Sequence, residues 1–437
     1  MITSIIITIL TCILLITLVI IKPSITIFKR KIDVFWLVAL AGAILILLTK
    51  SLPLNVLIAN LTNDSSINPL KIVILLLSLT MLSITLDELG FFEYIASLAV
   101  KKVNGSKYKL FFIFYILTAF LTIFTSNDIV ILTFTLFICY FSKNAKINPI
   151  PYLVMEFVTA NTYSMFFIIG NPTNIYIASS FNITFLEYAR VMWLPTILAG
   201  LLSLGIMLLM FRKELNQKCD ICEIEIKPVK HKFLSIISIL HLATCTILLA
   251  ISNYVRLQMW VITLIFAISL TIVLSLYSIV HKDLRTISHI YKRLPYTLCI
   301  FVLSMYTIVL SLDYHNISAS VAQVIDTLST SKLVTTLIFG FSSTIVDNLI
   351  NNIPMALCYT SLLSNLTVNP LHAIYASIIG SNIGAYLTPI GALAGIMWMR
   401  ILKEERVTFS FIDFVKNMFL IIFPVLFIAL IGLLIAL

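Results

Sequence analysis

The chain has 437 residues, of which 60% are hydrophobic and 11% are charged, and its mean hydropathy is +1.08. This composition excludes a soluble globular domain, and the apolar runs reach the ~20 residues that cross a bilayer. The formal net charge of +10 does not indicate a nucleic-acid partner, because the basic residues lie in short loops between apolar segments, a pattern typical of membrane orientation.

The apolar segments predict an all-α polytopic membrane protein. The first segment has no basic n-region and no small-residue cleavage site, which favours a membrane span over a signal peptide. The predicted segments cover residues 2–21, 34–49, 71–86, 110–141, 152–181, 191–211, 233–251, 258–280, 296–312, 333–363, 372–399 and 411–437.

Two of these segments are too long for one straight span. Segments 110–141 and 333–363 each hold about 31 residues, or ~47 Å of helix, against a hydrocarbon core of ~30 Å. Each also has a polar break near its middle. If both segments enter and leave on the same side of the membrane, most Lys and Arg fall in the loops of one side. If the segments cross, these residues are divided between the two sides. We therefore predict two re-entrant hairpins, with one long tilted helix as the alternative for each.

With those hairpins, ten spans remain and divide into two inverted halves. Each half has three spans, a hairpin and two spans, one of which is broken. Asn161 and Gly170 recur 221 positions later as Asn382 and Gly391. We predict a first repeat over 1–211 with a cytoplasmic-side hairpin at 110–141, and a cytoplasmic linker over 212–232. The second repeat covers 233–437, with an outside hairpin at 333–363, and both termini lie outside.

Four polar breaks fall at corresponding places in the two halves. They read TSND at 125–128, GNPTN at 170–174, DNLINN at 347–352 and LTPIG at 387–391. Gly and Pro interrupt helices, and freed backbone groups are tolerated in a membrane only beside protein or water. The amides of Asn127, Asn174, Asn351 and Asn352 offer hard oxygen ligands, and half-helix N-termini attract anions. The breaks therefore predict an ion or substrate site.

The carboxylates at these breaks are Asp128 and Asp347. An intramembrane carboxylate is a candidate proton carrier or cation ligand, and the alternative role is a helix N-cap. Glu156 lies one or two turns from the predicted cytoplasmic end of its span, where it would reach the interface, and we exclude it from the site.

No resident cofactor or metal is predicted. Cys219 and Cys222 form a C-x-x-C pair in the polar linker, without a second Cys or His pair at zinc spacing. The sequence contains no H-E-x-x-H and no G-x-S-x-G motif, which argues against a membrane enzyme.

The quoted motifs, together with LDELGFFEYIASLAVKK, SSTIVDNLINNIP and GSNIGAYLTPIGALAGIMW, resemble the ion-transporter superfamily. That group contains arsenite permeases, dicarboxylate and citrate carriers, NhaD-type Na⁺/H⁺ antiporters and the melanosomal P protein. The resemblance covers almost the whole chain and is closest to ArsB-type arsenite permeases. It implies an elevator-like motion, a homodimer in the plasma membrane, and binding roles for Ser126, Asn127 and Asp128 at one tip.

The same resemblance assigns the other tip and the broken spans. Together with the breaks above, the candidate binding residues are Ser126, Asn127, Asp128, Asn161, Gly170, Asn171, Pro172, Thr173, Asn174, Asp347, Asn348, Asn351, Asn352, Pro354, Asn382, Thr388, Pro389 and Gly391.

The leading function is ion-coupled secondary transport of a small inorganic ion or oxyanion, such as arsenite or antimonite efflux, driven by H⁺ or Na⁺. A Na⁺-coupled di- or tricarboxylate carrier and a Na⁺/H⁺ antiporter are the alternatives. Neither tip carries Lys or Arg, which favours a substrate other than citrate. A passive channel fits less well with hairpins that enter from opposite sides.

Overall fold

The computed structural model describes residues 1–21, 24–27, 30–64, 68–100, 106–217, 228–282 and 284–437. Apart from one antiparallel ribbon, with β1 (Ser24–Ile27) paired to β2 (Arg30–Asp33), the regular structure described is helical. The helices up to residue 217 are α1 (Ile2–Ile21), α2 (Val34–Leu48), α3 (Leu54–Thr62), α4 (Pro69–Glu88), α5 (Phe91–Val100), α6 (Lys107–Phe124), α7 (Asn127–Asn144), α8 (Ile150–Tyr163), α9 (Pro172–Ser180), α10 (Phe185–Met210) and α11 (Arg212–Leu215), with a 3₁₀ turn at Ile168–Gly170.

Eleven further helices are described after residue 227. They are α12 (Lys232–Ala250), α13 (Ser252–Val255), α14 (Met259–His281), α15 (Leu284–Arg293), α16 (Tyr296–Tyr314), α17 (Ile317–Leu328), α18 (Lys332–Ile350), α19 (Asn352–Ser364), α20 (Pro370–Gly384), α21 (Leu393–Glu404) and α22 (Phe411–Ala436).

Eight of the described helical runs are long and apolar enough to cross a membrane. They are α4, α6, α10, α12, α14, the run Arg285–Tyr314 that contains α16, α18 and α22. Of the remaining predicted spans, α2 and the Ile2–Leu18 part of α1 are shorter apolar helices, and the pairs α8/α9 and α20/α21 are each divided by a break. The fold is therefore the polytopic helical membrane protein that the sequence predicts.

Both 31-residue segments fold back on themselves. The ring of Phe114 on α6 lies 5.9 Å from that of Phe137 on α7, whereas a straight helix would separate them by ~35 Å. In the second segment, the Tyr359 hydroxyl donates to Ser342 at 2.8 Å, across the turn between α18 and α19. The two segments are helical hairpins, and the alternative of single tilted helices is wrong. The side from which each enters the bilayer stays a prediction.

The packing between the two halves is reciprocal: where two helices from different halves pack together, the helices at the corresponding places pack together as well. Helix α2 packs on α16 while α4 packs on α14, and α7 packs on α21 while α9 packs on α19. Helix α10 lies along α22. Two related halves would produce such pairings. The inversion and the boundaries 1–211, 212–232 and 233–437 stay predictions, and Cys219 and Cys222 lie outside the described residues.

Four short helices were not predicted from the sequence. Helices α3, α5, α15 and α17 are 9 to 12 residues long. A search for spans of ~20 apolar residues passes over helices of this length. Helices α5 and α17 occupy equivalent places, because each one directly precedes a hairpin.

Candidate functional site

The first broken span is shaped by its own sequence. Helix α8 ends at Tyr163, and α9 begins with Pro172, whose missing N–H costs nothing in a first turn. The Asn171 side chain caps α9 by accepting from the backbone N–H and the hydroxyl of Thr173 at 3.1 and 3.0 Å. A Cβ on Gly170 would lie 2.2 Å from the Ser164 carbonyl oxygen, so this turn requires glycine.

Asn382 of α20 joins this break to the second half of the chain. Its amide nitrogen donates to Asn174 Oδ1 at 2.6 Å, and its Oδ1 accepts from Asn171 Nδ2 at 3.1 Å and from the Ser164 hydroxyl at 2.7 Å. All four side chains are fully buried. The repeat in the sequence predicts that Asn382 is the counterpart of Asn161. Nothing in the sequence indicated a role for Ser164, because it lies outside the GNPTN run. We call these four residues the asparagine junction.

The tip of the first hairpin rests against α8. Asn127 is fully buried, and its amide donates to Asn161 Oδ1 at 3.0 Å, while Asn161 also donates to the Phe157 carbonyl. The neighbouring Ser126 and Asp128 are half-buried. The tip therefore holds one amide in the protein interior and turns a hydroxyl and a carboxylate outwards.

The tip of the second hairpin docks on the second break. Asn348 Oδ1 accepts from the backbone N–H and the hydroxyl of Thr388 at 3.0 and 2.7 Å. Asn351 has a φ of 75°, and its amide donates to the Ile390 carbonyl at 2.9 Å. The backbone N–H of Asn352 donates to the Gly391 carbonyl at 3.0 Å.

Several buried acceptors at the tips have no hydrogen-bond donor among the described residues. They are Asn127 Oδ1, both carboxylate oxygens of Asp347, Asn351 Oδ1 and Asn352 Oδ1. Asp347 is fully buried, and Pro354, buried in the first turn of α19, adds no N–H. A buried acceptor left unpaired is costly, so these oxygens favour a ligand that supplies hydrogens or positive charge.

A cavity of about 1610 Å³ reaches the first tip and both breaks. Its lining includes Ser126, Asp128, Pro172 and Pro389, whereas the asparagine junction and the second tip lie outside it. A separate cavity of about 20 Å³ touches Asn351. Three side chains, Phe35, Ile390 and Ile396, line both cavities, and we call them the inner wall. The large cavity thus reaches the first tip and does not reach the second.

The mouth of the large cavity is rich in charge. Arg293 pairs with Asp87 and also with Glu88 at 3.2 Å, and Arg400 pairs with Glu404 at 3.0 Å. Lys403 and Arg406 also line the mouth and make no ion pair with the described residues. The sequence assigns these cations to the cytoplasmic side.

The expected position of Glu156 is wrong. It is fully buried rather than at the interface, and its carboxylate accepts from the Thr135 hydroxyl at 3.2 Å and from Trp398 Nε1 at 3.2 Å. The depth of Glu156 was predicted from its distance to the start of α8, but α7 and α21 cover that start.

A broken-helix site beside a one-sided cavity, in a multi-pass helical bundle, defines a membrane transporter. A family model described as CitMHS, citrate transporter, matches residues 16–380, and the chain belongs to this family. The resemblance to the ion-transporter superfamily and to ArsB-type permeases is confirmed by relatives along most of the chain.

Two such relatives are arsenical pump proteins. A putative arsenical pump membrane protein of Bacillus subtilis (strain 168) is 25% identical over 433 residues, which cover 90% of this chain and 95% of that protein. An arsenical pump membrane protein of Escherichia coli is 26% identical over 374 residues, covering 81% and 83%. The crystal structure of the Alcanivorax borkumensis YdaH transporter matches with a TM-score of 0.59 at 14% identity, over 99% of this chain and 97% of that one, and shows the fold alone. The chain is thus a secondary transporter of the ArsB and citrate type.

Proposed function

We propose that this transporter exports arsenite and antimonite from the cell, coupled to an ion, by elevator-like alternating access. The observation that carries the proposal is the surplus of unpaired buried acceptors at the hairpin tips. Arsenous and antimonous acids are neutral and bring O–H donors. The carboxylate groups of citrate or succinate bring acceptors only, and neither tip has a Lys or Arg to receive them. The names of the relatives agree with this substrate class.

The cavity supports alternating access. It exposes Ser126 and Asp128 of the first tip, while the inner wall separates it from Asn351 of the second. A carrier must close one side before it opens the other. If the second break, which carries Ile390, moved relative to Phe35 of α2, the first tip would close and the second tip would open.

The inverted organisation belongs to the same proposal. The reciprocal pairings of α2 with α16 and α4 with α14 support two related halves. We place both termini outside, the hairpin α6/α7 on the cytoplasmic side and the hairpin α18/α19 on the outer side, in a plasma-membrane homodimer.

The coupling ion binds at the intramembrane carboxylates in this proposal. Neither oxygen of Asp347 receives a hydrogen bond from the described residues. A bare carboxylate in that position is unfavourable, so Asp347 binds a proton or ligates Na⁺. Asp128, which lines the open cavity, is the second candidate carrier.

A carboxylate carrier is the second candidate function. The family description and the unpaired Lys403 and Arg406 at the cavity mouth favour it, because cations there would concentrate an anionic substrate. Na⁺/H⁺ exchange is the third, since unpaired oxygens also suit a bare cation.

Flux measurements in proteoliposomes distinguish these functions. Arsenite, antimonite, citrate, succinate and Na⁺ are each tested with a proton gradient, a sodium gradient and no gradient. Saturable arsenite or antimonite flux that responds to one gradient supports the proposal. Saturable citrate or succinate flux without metalloid flux would replace it with the carboxylate function, and unsaturable conductance would indicate a channel.

The tip assignment has its own test. Asn127→Ala and Asn351→Ala should each abolish flux while the protein still inserts, because each removes a buried amide at a tip. Asn365→Ala, an exposed asparagine just beyond the second hairpin, serves as the control and should transport normally. Normal flux in both tip variants would refute the assignment.

A further inference from the structure

Glu156 is a buried carboxyl group that the proposed site does not use. Its side chain is fully buried in α8 and contacts two other elements through hydrogen bonds. The Thr135 hydroxyl of α7 lies 3.3 and 3.2 Å from its two oxygens, and Trp398 Nε1 of α21 lies 3.2 Å from Oε2. Both donors are neutral. Among the described residues, no Lys, Arg or His forms an ion pair with it.

The surrounding helices offer no charge to compensate Glu156. Cys139, one turn beyond Thr135, is the titratable group on that face of α7. Other titratable groups on the packed helices have their own contacts: Tyr115 of α6 bonds to Tyr163 and to the Gly200 carbonyl, the ring of Tyr188 of α10 lies 6.0 Å from that of Tyr375 of α20, Arg400 pairs with Glu404, and Asp413 of α22 bonds to Ser410. Lys143, Lys403, Glu405 and Lys416 are exposed. His372, in the first turn of α20, is buried with no hydrogen-bond partner for its Nε2 among the described residues, and it forms no ion pair with Glu156.

The repeat does not explain an acid at this position. The residue 221 positions later is Ser377, which is also fully buried and whose hydroxyl donates to the Ala373 carbonyl of its own helix. The second half therefore builds the equivalent packing without a carboxyl group. An unpaired acid inside a membrane protein is unfavourable and is typical of a functional group.

Trp398 connects Glu156 to the lining of the large cavity. Its Nε1 lies 3.2 Å from Glu156 Oε2, and its ring lies 5.5 Å from the ring of Phe409, which lines the cavity. Met397 and Met399, on either side of Trp398, line the cavity as well. A displacement of α21 would therefore move the indole away from the carboxyl group and open a path from the cavity to it.

We propose that Glu156 is a proton-binding site of this transporter, separate from the hairpin tips, and that Trp398 couples its protonation to the position of α21. In the protonated form the neutral carboxyl group keeps α7, α8 and α21 packed together. Loss of the proton leaves a buried charge without a cation, and displacement of α21 exposes that charge to the cavity. Displacement is favoured where hydration of the charge outweighs its hydrogen bond to the indole N–H. The inference rests on the proposed ion-coupled transport, but its first test does not need a substrate.

The first test measures the emission of Trp398 against pH. The variant Trp36→Phe/Trp193→Phe/Trp260→Phe in nanodiscs leaves Trp398 as the one tryptophan. Its emission should follow a single-proton titration that Glu156→Gln abolishes, because the glutamine keeps the shape without the proton. Thr135→Val, which removes a donor to both oxygens, should displace the midpoint. Glu404→Gln, an exposed acid on α21, should leave the titration unchanged.

A titration that persists in Glu156→Gln, or emission that does not change with pH, would overturn the inference. If the triple variant does not fold, infrared difference spectra of the unmodified chain give the same answer. The carbonyl band of a protonated carboxyl group should then be lost in Glu156→Gln and retained in Asp128→Asn and Asp347→Asn. Loss of the band only in the aspartate variants would refute it.

The second test concerns transport. Glu156→Gln should lose the part of the pH dependence of flux that follows the Trp398 titration, while it retains substrate affinity. Absence of metalloid flux in every form, with the Trp398 titration intact, would refute the proposed substrate and leave the proton site standing.

Discussion

Replacement of Asn382 by alanine should be among the most destabilising single changes in the chain. The substitution removes three hydrogen bonds of the asparagine junction and leaves Asn174 Oδ1 and Asn171 Nδ2 without partners in a fully buried place. An orphaned buried polar group costs about 1–3 kcal/mol, so two cost about 2–6 kcal/mol. Hydrogen bonds inside membrane proteins average about 0.6 kcal/mol each, so three give about 2 kcal/mol.

The free energy of unfolding should therefore fall by about 2–6 kcal/mol, and the lower limit is the value for three hydrogen bonds inside a membrane protein. Equilibrium unfolding in mixed micelles measures it, with Asn365→Ala as the exposed control and Asn174→Ala/Asn382→Ala to complete a double-mutant cycle. The free energy of unfolding of the double variant should fall by less than the sum of the two single changes. Removal of Asn174 also removes the buried oxygen that Asn382→Ala leaves without a donor. A loss no larger than that of Asn365→Ala would refute this description of the junction.

Three further predictions concern packing, pH and topology. Gly384→Ala would place a Cβ 2.9 Å from Thr344 Cα and should lower thermal stability by about 1–3 kcal/mol, whereas Gly205→Ala, whose Cβ meets nothing within 4 Å, should not. Burial opposes ionisation of Asp326, but hydrogen bonds from Thr367 and Val368 hold the pKa of this carboxyl group below its ordinary value. The stabilisation that Asp326 contributes is thus fully present at a pH above its ordinary pKa, and it is lost as the pH falls through the lowered pKa. The difference in Tm between the wild type and Asp326→Asn should therefore vanish in acid. Single cysteines at Ser106 and Asn144, in a background without the native cysteines, should both react with an impermeant thiol reagent from the cytoplasm; reaction from opposite sides would contradict a re-entrant first hairpin.

Local chemistry made the breaks and hairpins predictable. The sequence Gly170–Asn174 starts α9 because Pro and Asn act within a few residues, and the structure shows that start, although α8 already ends at Tyr163. Segment length, the polar break and the flanking Lys and Arg together predicted the fold-back of α6 on α7.

Contacts between distant segments were not predictable in the same way. Asn382 could be aligned with Asn161 by the repeat, yet nothing in the sequence states that it bonds to Asn171, Asn174 and Ser164. The depth of Glu156 depends on how α7 and α21 cover the start of α8. Hydropathy along one segment does not contain that information.

The inner wall has a consequence for membrane voltage. In the proposed transport cycle, water in the large cavity would carry the electrical potential of one compartment as far as Asp128, and the inner wall of Phe35, Ile390 and Ile396 would then take a large share of the membrane potential. An elementary charge that crosses it does work of about 2.3 kcal/mol per 100 mV, whereas a neutral oxyacid does none. The current that accompanies each transport cycle therefore reports the charge of the coupling ion alone when the substrate is neutral.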